Sequence, residues 1–474
     1  KRSVQHTPSI AYRMTDEKAS STLSTLSTLS TTSSSSARSA SSAKHSSAVV
    51  SLWHRPTLLA AVVVLALLVR ITSHDGLVDL FPVSDQKSNS HRSSLASWAL
   101  QTPSLSTPLS SWSRVSEGVW RLQHDIDPYA TNAVHHPPLL LLAFQPLLAL
   151  SSSQLPSILA FALLDVFVAF VLGSIYALVY SSERYAPPLD HVPSLYRKLA
   201  SQLPFLIFCC YLLHPWIFGS NLARSTTVVQ TACWLSALWL ALRGGREILA
   251  GMCLGLACYV DLFPLYLLPA LALMGNGRKT ILSCLITLAV LISASLFLFG
   301  SSWVRACYFV VATMDGELRP NTGLVWYLFT EMFDHFLPFF RFFIHVHLLL
   351  YPVPLFVKLQ HRPLFLCWML YALLAVFHPF TTLSSTAVLL LLLPLFLDLF
   401  PGIQFKFIIV NALIYISCLA PILWNMWIYQ GGGNANFYFA LTIAHAITQA
   451  VIITSSLSTE ITHHYRRKHN LPIE

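Results

Sequence analysis

From residue 137 to residue 456 long apolar runs follow one another with only short polar connections, a rhythm that predicts a series of membrane-crossing helices. A first apolar core at 58–68 is flanked by Arg55 and Arg70, and Trp53 and Pro56 extend it toward the length of a span. Further spans are read at 156–180, 204–220, 226–242, 281–300, 338–358, 364–377, 385–400, 405–421 and 437–456. Two apolar stretches do not read as simple crossings. Residues 137–150 are short and carry Pro137, Pro138 and Pro146, and residues 248–273 are interrupted by Asp261, Pro264 and Pro269.

Charge decides how these runs are threaded. Arg243 with Arg246, Arg278 with Lys279, Lys358 with Arg362, and Arg466, Arg467 and Lys468 form small clusters between or after apolar runs, the signature of loops that face the cytosol. The connection 181–202, with Arg184, Arg197 and Lys198, belongs on the same side, so 137–150 cannot cross fully if 156–180 does. Clusters on both sides of 248–273 want the cytosol, and that segment is expected to enter and return. Broken backbone at membrane depth is tolerated only where protein or a wet cavity shields it. The expected fold is an all-α polytopic membrane protein with about 10–12 transmembrane helices, re-entrant segments included, and both termini cytosolic. The polar connections 74–136, 301–324 and 424–436 then face the opposite side.

Composition supports this reading. Of 474 residues 55% are hydrophobic and 10% charged, against about 25% charged in soluble domains, and the mean hydropathy is +0.60. A water-soluble fold could not hide that much apolar surface. Residues 1–50 are of another kind: Ser, Thr and Ala dominate 20–47, with Ser-Thr-Leu repeats at 21–29, too little apolar surface to offset ordering entropy. The expected division is a disordered cytosolic region 1–50, a membrane domain 51–456 and a basic cytosolic tail 457–474. The first apolar run lies too far along for a cleavable signal, and the Ser-rich, acid-poor start also admits a transit peptide. The net charge of +9 is scattered, so nucleic acid is excluded as a partner. Nine cysteines lie in or beside apolar segments without metal-ligand spacing, and neither metal nor cofactor is expected.

Candidate chemistry is sparse. Asp125 and Asp127 form a D-x-D in the first polar connection, but Asp127 precedes Pro128 and reads better as a turn. Cys307 has no evident base, and no nucleophile elbow is present. Asp261 lies in an apolar segment, where a carboxylate either serves a function or lines a hydrated cavity. His214 reads as a boundary residue. Glu331 shares a helical face with Asp334 or His335 and suits a docking surface for a partner. Residues 112–122 suggest an amphipathic helix on the membrane surface, with Trp112, Val115, Val119, Trp120 and Leu122 apolar. In Gly431–Asn436 three glycines allow close approach to the main chain, and Asn434 and Asn436 point the same way if the chain is extended. The segment reads either as a flexible turn or as a contact for a polar head group, beside the interfacial Trp424, Trp427 and Tyr429.

Five stretches occur together: PLSSWSRVSEGVWRLQHDIDPY at 108–129, HHPPLLL at 135–141, YLLHPW at 211–216, PNTGLVWYLFTEMFDHF at 320–336 and PILWNMWIYQGGGNANFYF at 421–439. In this order and at these separations they resemble the PIG-U family, over residue 108 to the C-terminus. The resemblance implies a non-catalytic, multi-pass subunit of the GPI transamidase of the endoplasmic reticulum membrane, one that binds and presents the GPI lipid. The implied partners are the other transamidase subunits, including a caspase-like catalytic subunit that cuts the C-terminal signal before the ethanolamine amine of the GPI takes over the acyl group. It also implies a fold related to the GT-C mannosyltransferases, places the three polar connections in the lumen, and assigns Asn434 and Asn436 to GPI binding. A polyprenol-dependent GT-C glycosyltransferase built on Asp125 and Asp127 is the alternative, with a transporter or flippase third.

Overall fold

The computed structural model describes residues 56–74, 99–131, 133–149, 154–188, 193–314 and 317–472, so the Ser-rich start and most of 74–98 lie outside the described residues. Among the described residues the regular structure is helical and no strand occurs. The chain is an all-α polytopic membrane protein. Six helices are long and apolar enough to cross a bilayer: Leu155–Ser181, Gly277–Phe299, Leu337–Leu359, Leu383–Gly402, Lys406–Ile428 and Ala435–Lys468. The count is seven if Leu203–Leu213 and Pro215–Leu222, bent by 45°, form one span. His214 sits at that bend, its Nδ1 accepting the Trp216 amide at 3.3 Å where Pro215 has none to give. The remaining expected crossings fall on shorter apolar helices, among them Thr57–Ser73 and Pro363–Phe377.

Burial orders these helices. In Pro363–Phe377 every side chain from Leu364 to Val376 is buried, as an all-round apolar helix must be, and it forms the centre of the bundle. Lys406–Ile428 and Leu337–Leu359 have only 11% of their apolar windows buried and turn the rest outward.

Residues 248–273 form a hairpin. The helix Glu247–Val260 runs parallel to Gly277–Phe299, in touch at the backbone: a Cβ on Gly251 would lie 2.4 Å from the Thr280 carbonyl oxygen, and one on Gly255 2.8 Å from that of Cys284. Farther along, Tyr259 Oη lies 2.6 Å from Ser295 Oγ. Parallel neighbours this close in sequence require a return between them, supplied by Phe263–Met274, which brings Gly275 back beside Glu247. At 14 residues the outgoing helix spans only about 21 Å, short of a hydrocarbon core of about 30 Å. Asp261 lies at the turn.

Two ionic contacts tie the bundle. Arg70, expected at a membrane boundary, turns inward and is 1% exposed. Its Nε donates to Asp165 Oδ2 at 3.1 Å and its Nη2 to the Leu212 carbonyl at 3.1 Å, joining three segments. Arg362 forks onto both Asp398 oxygens at 3.0 and 2.7 Å and also reaches Glu460 of the terminal helix.

Removing one partner of a buried pair leaves an uncompensated charge and costs about 3–5 kcal/mol. Asp165→Ala should therefore strongly lower the unfolding midpoint in detergent, and Arg70→Leu combined with Asp165→Leu should restore most of it. Single cysteines at Gly245 and Gly277, the two ends of the hairpin, should be labelled from one side by an impermeant reagent; opposite accessibility would refute the hairpin.

Candidate functional site

The connection between Lys406–Ile428 and Ala435–Lys468 is compact. Gly431 has φ 65°, which favours glycine, and the amides of Gly432 and Gly433 return to the Met426 carbonyl at 2.9 and 3.2 Å. Asn434 is the N-cap of the terminal helix, its Oδ1 accepting the amides of Asn436 and Phe437 at 3.1 and 3.4 Å. Asn436 lies in the first helical turn and accepts the Tyr327 hydroxyl. The segment is thus extended at Asn434 and helical from Ala435, and the two amides share a helix N-terminus rather than one face of a strand. Both residues are exposed, and their Nδ2 groups have no hydrogen-bond partner among the described residues. The 34-residue helix behind them contributes a partial positive charge at this end.

Below the turn lies an aromatic cluster. Trp326, from the helix Val325–Thr330, stacks on Trp427 with ring centroids 6.2 Å apart, and Trp424 meets Trp427 edge-on at 5.5 Å. Tyr438 is buried against both Trp326 and Trp424. The indole N–H groups of Trp326 and Trp424 are buried without a hydrogen-bond partner among the described residues. Tyr429 reaches Gln101 Oε1 at 2.5 Å, so the first and third polar connections meet here, and Tyr327, in the helix that follows the second, is bonded to the turn.

Other candidate residues fall elsewhere. Asp127 Oδ1 accepts the Tyr129 amide at 2.9 Å in an Asx turn, and Asp125 is exposed with φ 56°. Cys307 is buried at 4% exposure. Glu331, Asp334 and His335 lie in an exposed turn, so they share no helical face. The Trp112–Gln123 helix buries Trp112, Val115 and Val119, with Trp112 edge-on to Phe144 and Phe161 of the bundle, while Trp120 is exposed. Tyr327 and Trp326 were not singled out from the sequence; their signal was the placement of the NTGLVWY stretch beside a second aromatic-rich stretch at 424–439. Among the described residues no three His, Cys, Asp or Glu side chains converge as a metal site. The Asn434 turn offers hydrogen-bond donors and aromatic surface, a binding chemistry with neither nucleophile nor base.

The first polar connection is latched to the second. Arg114 forks onto Glu317 at 2.9 and 3.0 Å, and His135 Nε2 lies 3.1 Å from the same carboxylate. Burial alone would raise the Glu317 carboxyl, but His135 and Arg114 outweigh it and hold it below the usual range.

Residues 86–445 match the family described as PIG-U, GPI transamidase subunit. The chain is 29% identical over 406 residues to the GPI-anchor transamidase component PIGU of Homo sapiens, covering 80% of this chain and 92% of that protein. It is 28% identical over 364 residues to the GPI transamidase component GAB1 of Saccharomyces cerevisiae, covering 74% and 86%. A GAB1 homolog of Schizosaccharomyces pombe is 29% identical over 350 residues, covering 72% and 83%.

Because the Glu317 carboxyl is depressed in the fold, the latch's stabilisation is complete above the ordinary carboxyl range near 4.5 and is lost as pH falls through the lower folded value. Limited proteolysis of residues 99–136 should be unchanged from pH 7 to 5 and should accelerate only below the ordinary carboxyl range; Glu317→Gln should release the segment already at pH 7.

Proposed function

The chain belongs to the PIG-U family of GPI transamidase subunits, and from that premise we propose that it is a non-catalytic component that holds the GPI head group at the luminal face of the endoplasmic reticulum membrane. Its curated relatives are named as transamidase components, so membership of a multi-subunit assembly follows from kinship, with the catalytic cysteine protease supplied by another subunit. The observation that carries the reading is the pair of free amide donors, Asn434 and Asn436, at the N-terminus of a long helix above an aromatic cluster.

A phosphate of the head group accepts hydrogen bonds from the two Nδ2 groups and is favoured by the helix end. Sugar faces pack on exposed aromatic surface such as Tyr429 and Phe437. Acyl chains run along the half of the outward apolar face of Lys406–Ile428 nearer the turn, where Leu419 and Ile422 are exposed. The turn at Gly431–Gly433 leaves the approach open, since a Cβ on Gly431 or Gly432 would meet nothing within 4 Å. The glycosyltransferase alternative finds little support, because Asp127 is committed to a turn and Asp125 is solvent-facing with it.

Each neutral hydrogen bond lost costs about 0.5–1.5 kcal/mol, more when a charged phosphate accepts it, so Asn434→Ala with Asn436→Ala should weaken GPI retention about tenfold or more. Asn434→Asp separates binding from capping: it keeps the acceptor that caps the helix and presents a negative oxygen to the phosphate, so it too should lose GPI while assembly survives. The measurement is GPI bound per purified complex, together with surface display of a GPI-anchored reporter. Unchanged GPI content in both variants would reduce the turn to a structural element. Asp125→Asn with Asp127→Asn should leave GPI attachment intact in cells lacking the endogenous subunit; complete loss with normal assembly would favour the glycosyltransferase.

A further inference from the structure

Arg224 is a buried cation to which no acid is paired. It is 5% exposed and follows the helix Pro215–Leu222 with φ 47°, a left-handed conformation that side chains other than glycine rarely adopt. Its Nη1 donates to Ser157 Oγ at 3.2 Å, and its guanidinium carbon lies 5.6 Å from the centre of the Trp112 ring. The Ser157 hydroxyl gives its own proton to the Gln154 carbonyl at 2.7 Å. The Arg224 Nε is enclosed without a hydrogen-bond partner, and its Nη2, which is not enclosed, has none either among the described residues. A guanidinium has five N–H donors, and the fold engages a single one.

The elements packed around Arg224 add no free negative charge. Asp165, on the same helix as Ser157, lies about 12 Å farther along and is taken by Arg70 at 3.1 Å. Glu317 is taken by Arg114 and His135, and Glu117 pairs with Arg121 on its own helix. His136, which meets Thr226 Oγ1 at 3.2 Å, can add only positive charge. Two helix N-termini converge on the same place. Ser157 lies in the first turn of Leu155–Ser181, and Trp112 opens Trp112–Gln123. Neither helix has a side-chain cap or an acid in its first turn. The Thr226 amide donates to the Ser110 carbonyl at 2.9 Å, which holds the start of the second helix beside the Arg224 segment. Each N-terminus contributes partial positive charge and N–H groups without helical partners.

A buried guanidinium without an acid is costly, and one hydrogen bond to a serine does not require an arginine held in left-handed backbone. The sign of the charge rules against a cation. A phosphate offers several oxygens to donors that come from different directions, the guanidinium on one side and helix amides on the other. We propose that Arg224 and the two helix starts at Ser157 and Trp112 form a binding site for a phosphate group, with its oxygens on Nη2 and on first-turn amides. The site is separate from the Asn434–Asn436 turn and shares no residue with it. The phosphate comes either from the head of a phospholipid or from a free phosphate, which share this chemistry.

The test uses the full chain in its purified complex, in dodecyl maltoside without phosphate. Equilibrium dialysis with radiolabelled inorganic phosphate measures the free anion, and native mass spectrometry counts the phospholipids that stay bound. Arg224→Gln removes the charge, and Ser157→Asp gives Arg224 a carboxylate from within the fold. Each should weaken inorganic phosphate about tenfold or more, or remove one retained phospholipid per complex. Both variants are compared with the unaltered chain, so phosphate held by other subunits or at the Asn434–Asn436 turn cancels. Lost phosphate binding with an unchanged phospholipid count identifies the free anion, and a loss of one phospholipid identifies the lipid head. Ser157→Asp leaves Arg224 in place with its charge paired; if Arg224→Gln fails to assemble, Ser157→Asp alone decides. Phosphate binding and phospholipid count both equal to those of the unaltered chain would overturn the proposal.

Discussion

A charge inside a bilayer has no water to turn to, and the way this chain meets that constraint sets the rest of its architecture. Arg70 and Asp165 lie 95 residues apart and find each other in the interior, with the Leu212 carbonyl filling a further guanidinium donor. At the far end Arg362 gathers Asp398 and Glu460, so the start of the central helix, the end of Leu383–Gly402 and the last turns of the terminal helix are held at one point. Between these clamps the all-round apolar helix Pro363–Phe377 needs no polar partner of its own. The clamps leave the opposite end free to carry loops. Asp261 differs, a carboxylate at the hairpin turn that accepts the Phe263 amide and contacts the His378 ring.

The Asn434–Asn436 turn offers a ligand neutral chemistry. Its acceptor atoms are committed, Asn434 Oδ1 to the helix cap and Asn436 Oδ1 to Tyr327, so what remains for a ligand is donor capacity beside a helix N-terminus. That polarity selects a phosphate or hydroxyl oxygen over an amine.

How much of this was legible in the sequence depends on whether the signal was local. The hairpin at 248–273 could be read because its cause is local: basic clusters at both ends and prolines within. The turn at Asp127–Pro128 was legible for the same reason. Arg70 was not, since its partner sits mid-helix in Leu155–Ser181 and nothing local distinguishes an inward arginine from a snorkelling one. Asn434 and Asn436 stood out as residues, but the choice between an extended segment and a turn stayed open: Asn434 is extended and takes the N-cap, and the chain is helical from Ala435. Glu331 to His335 failed in the opposite sense, because the helix stops at Thr330 and the shared face disappears with it. The Tyr327–Asn436 contact joins stretches 109 residues apart, and only their shared aromatic richness hinted that they meet.

The central claim is that GPI rests at the Asn434–Asn436 turn, and contact is the most direct measure of it. A photoreactive benzoylphenylalanine placed at Phe437, exposed in the first turn of the terminal helix, should crosslink GPI in the intact complex, identified by mass spectrometry of the adduct. The same group at Phe407, more exposed still but at the other end of Lys406–Ile428, should capture other lipids but not GPI. GPI captured equally from both positions, or from neither, would contradict the account.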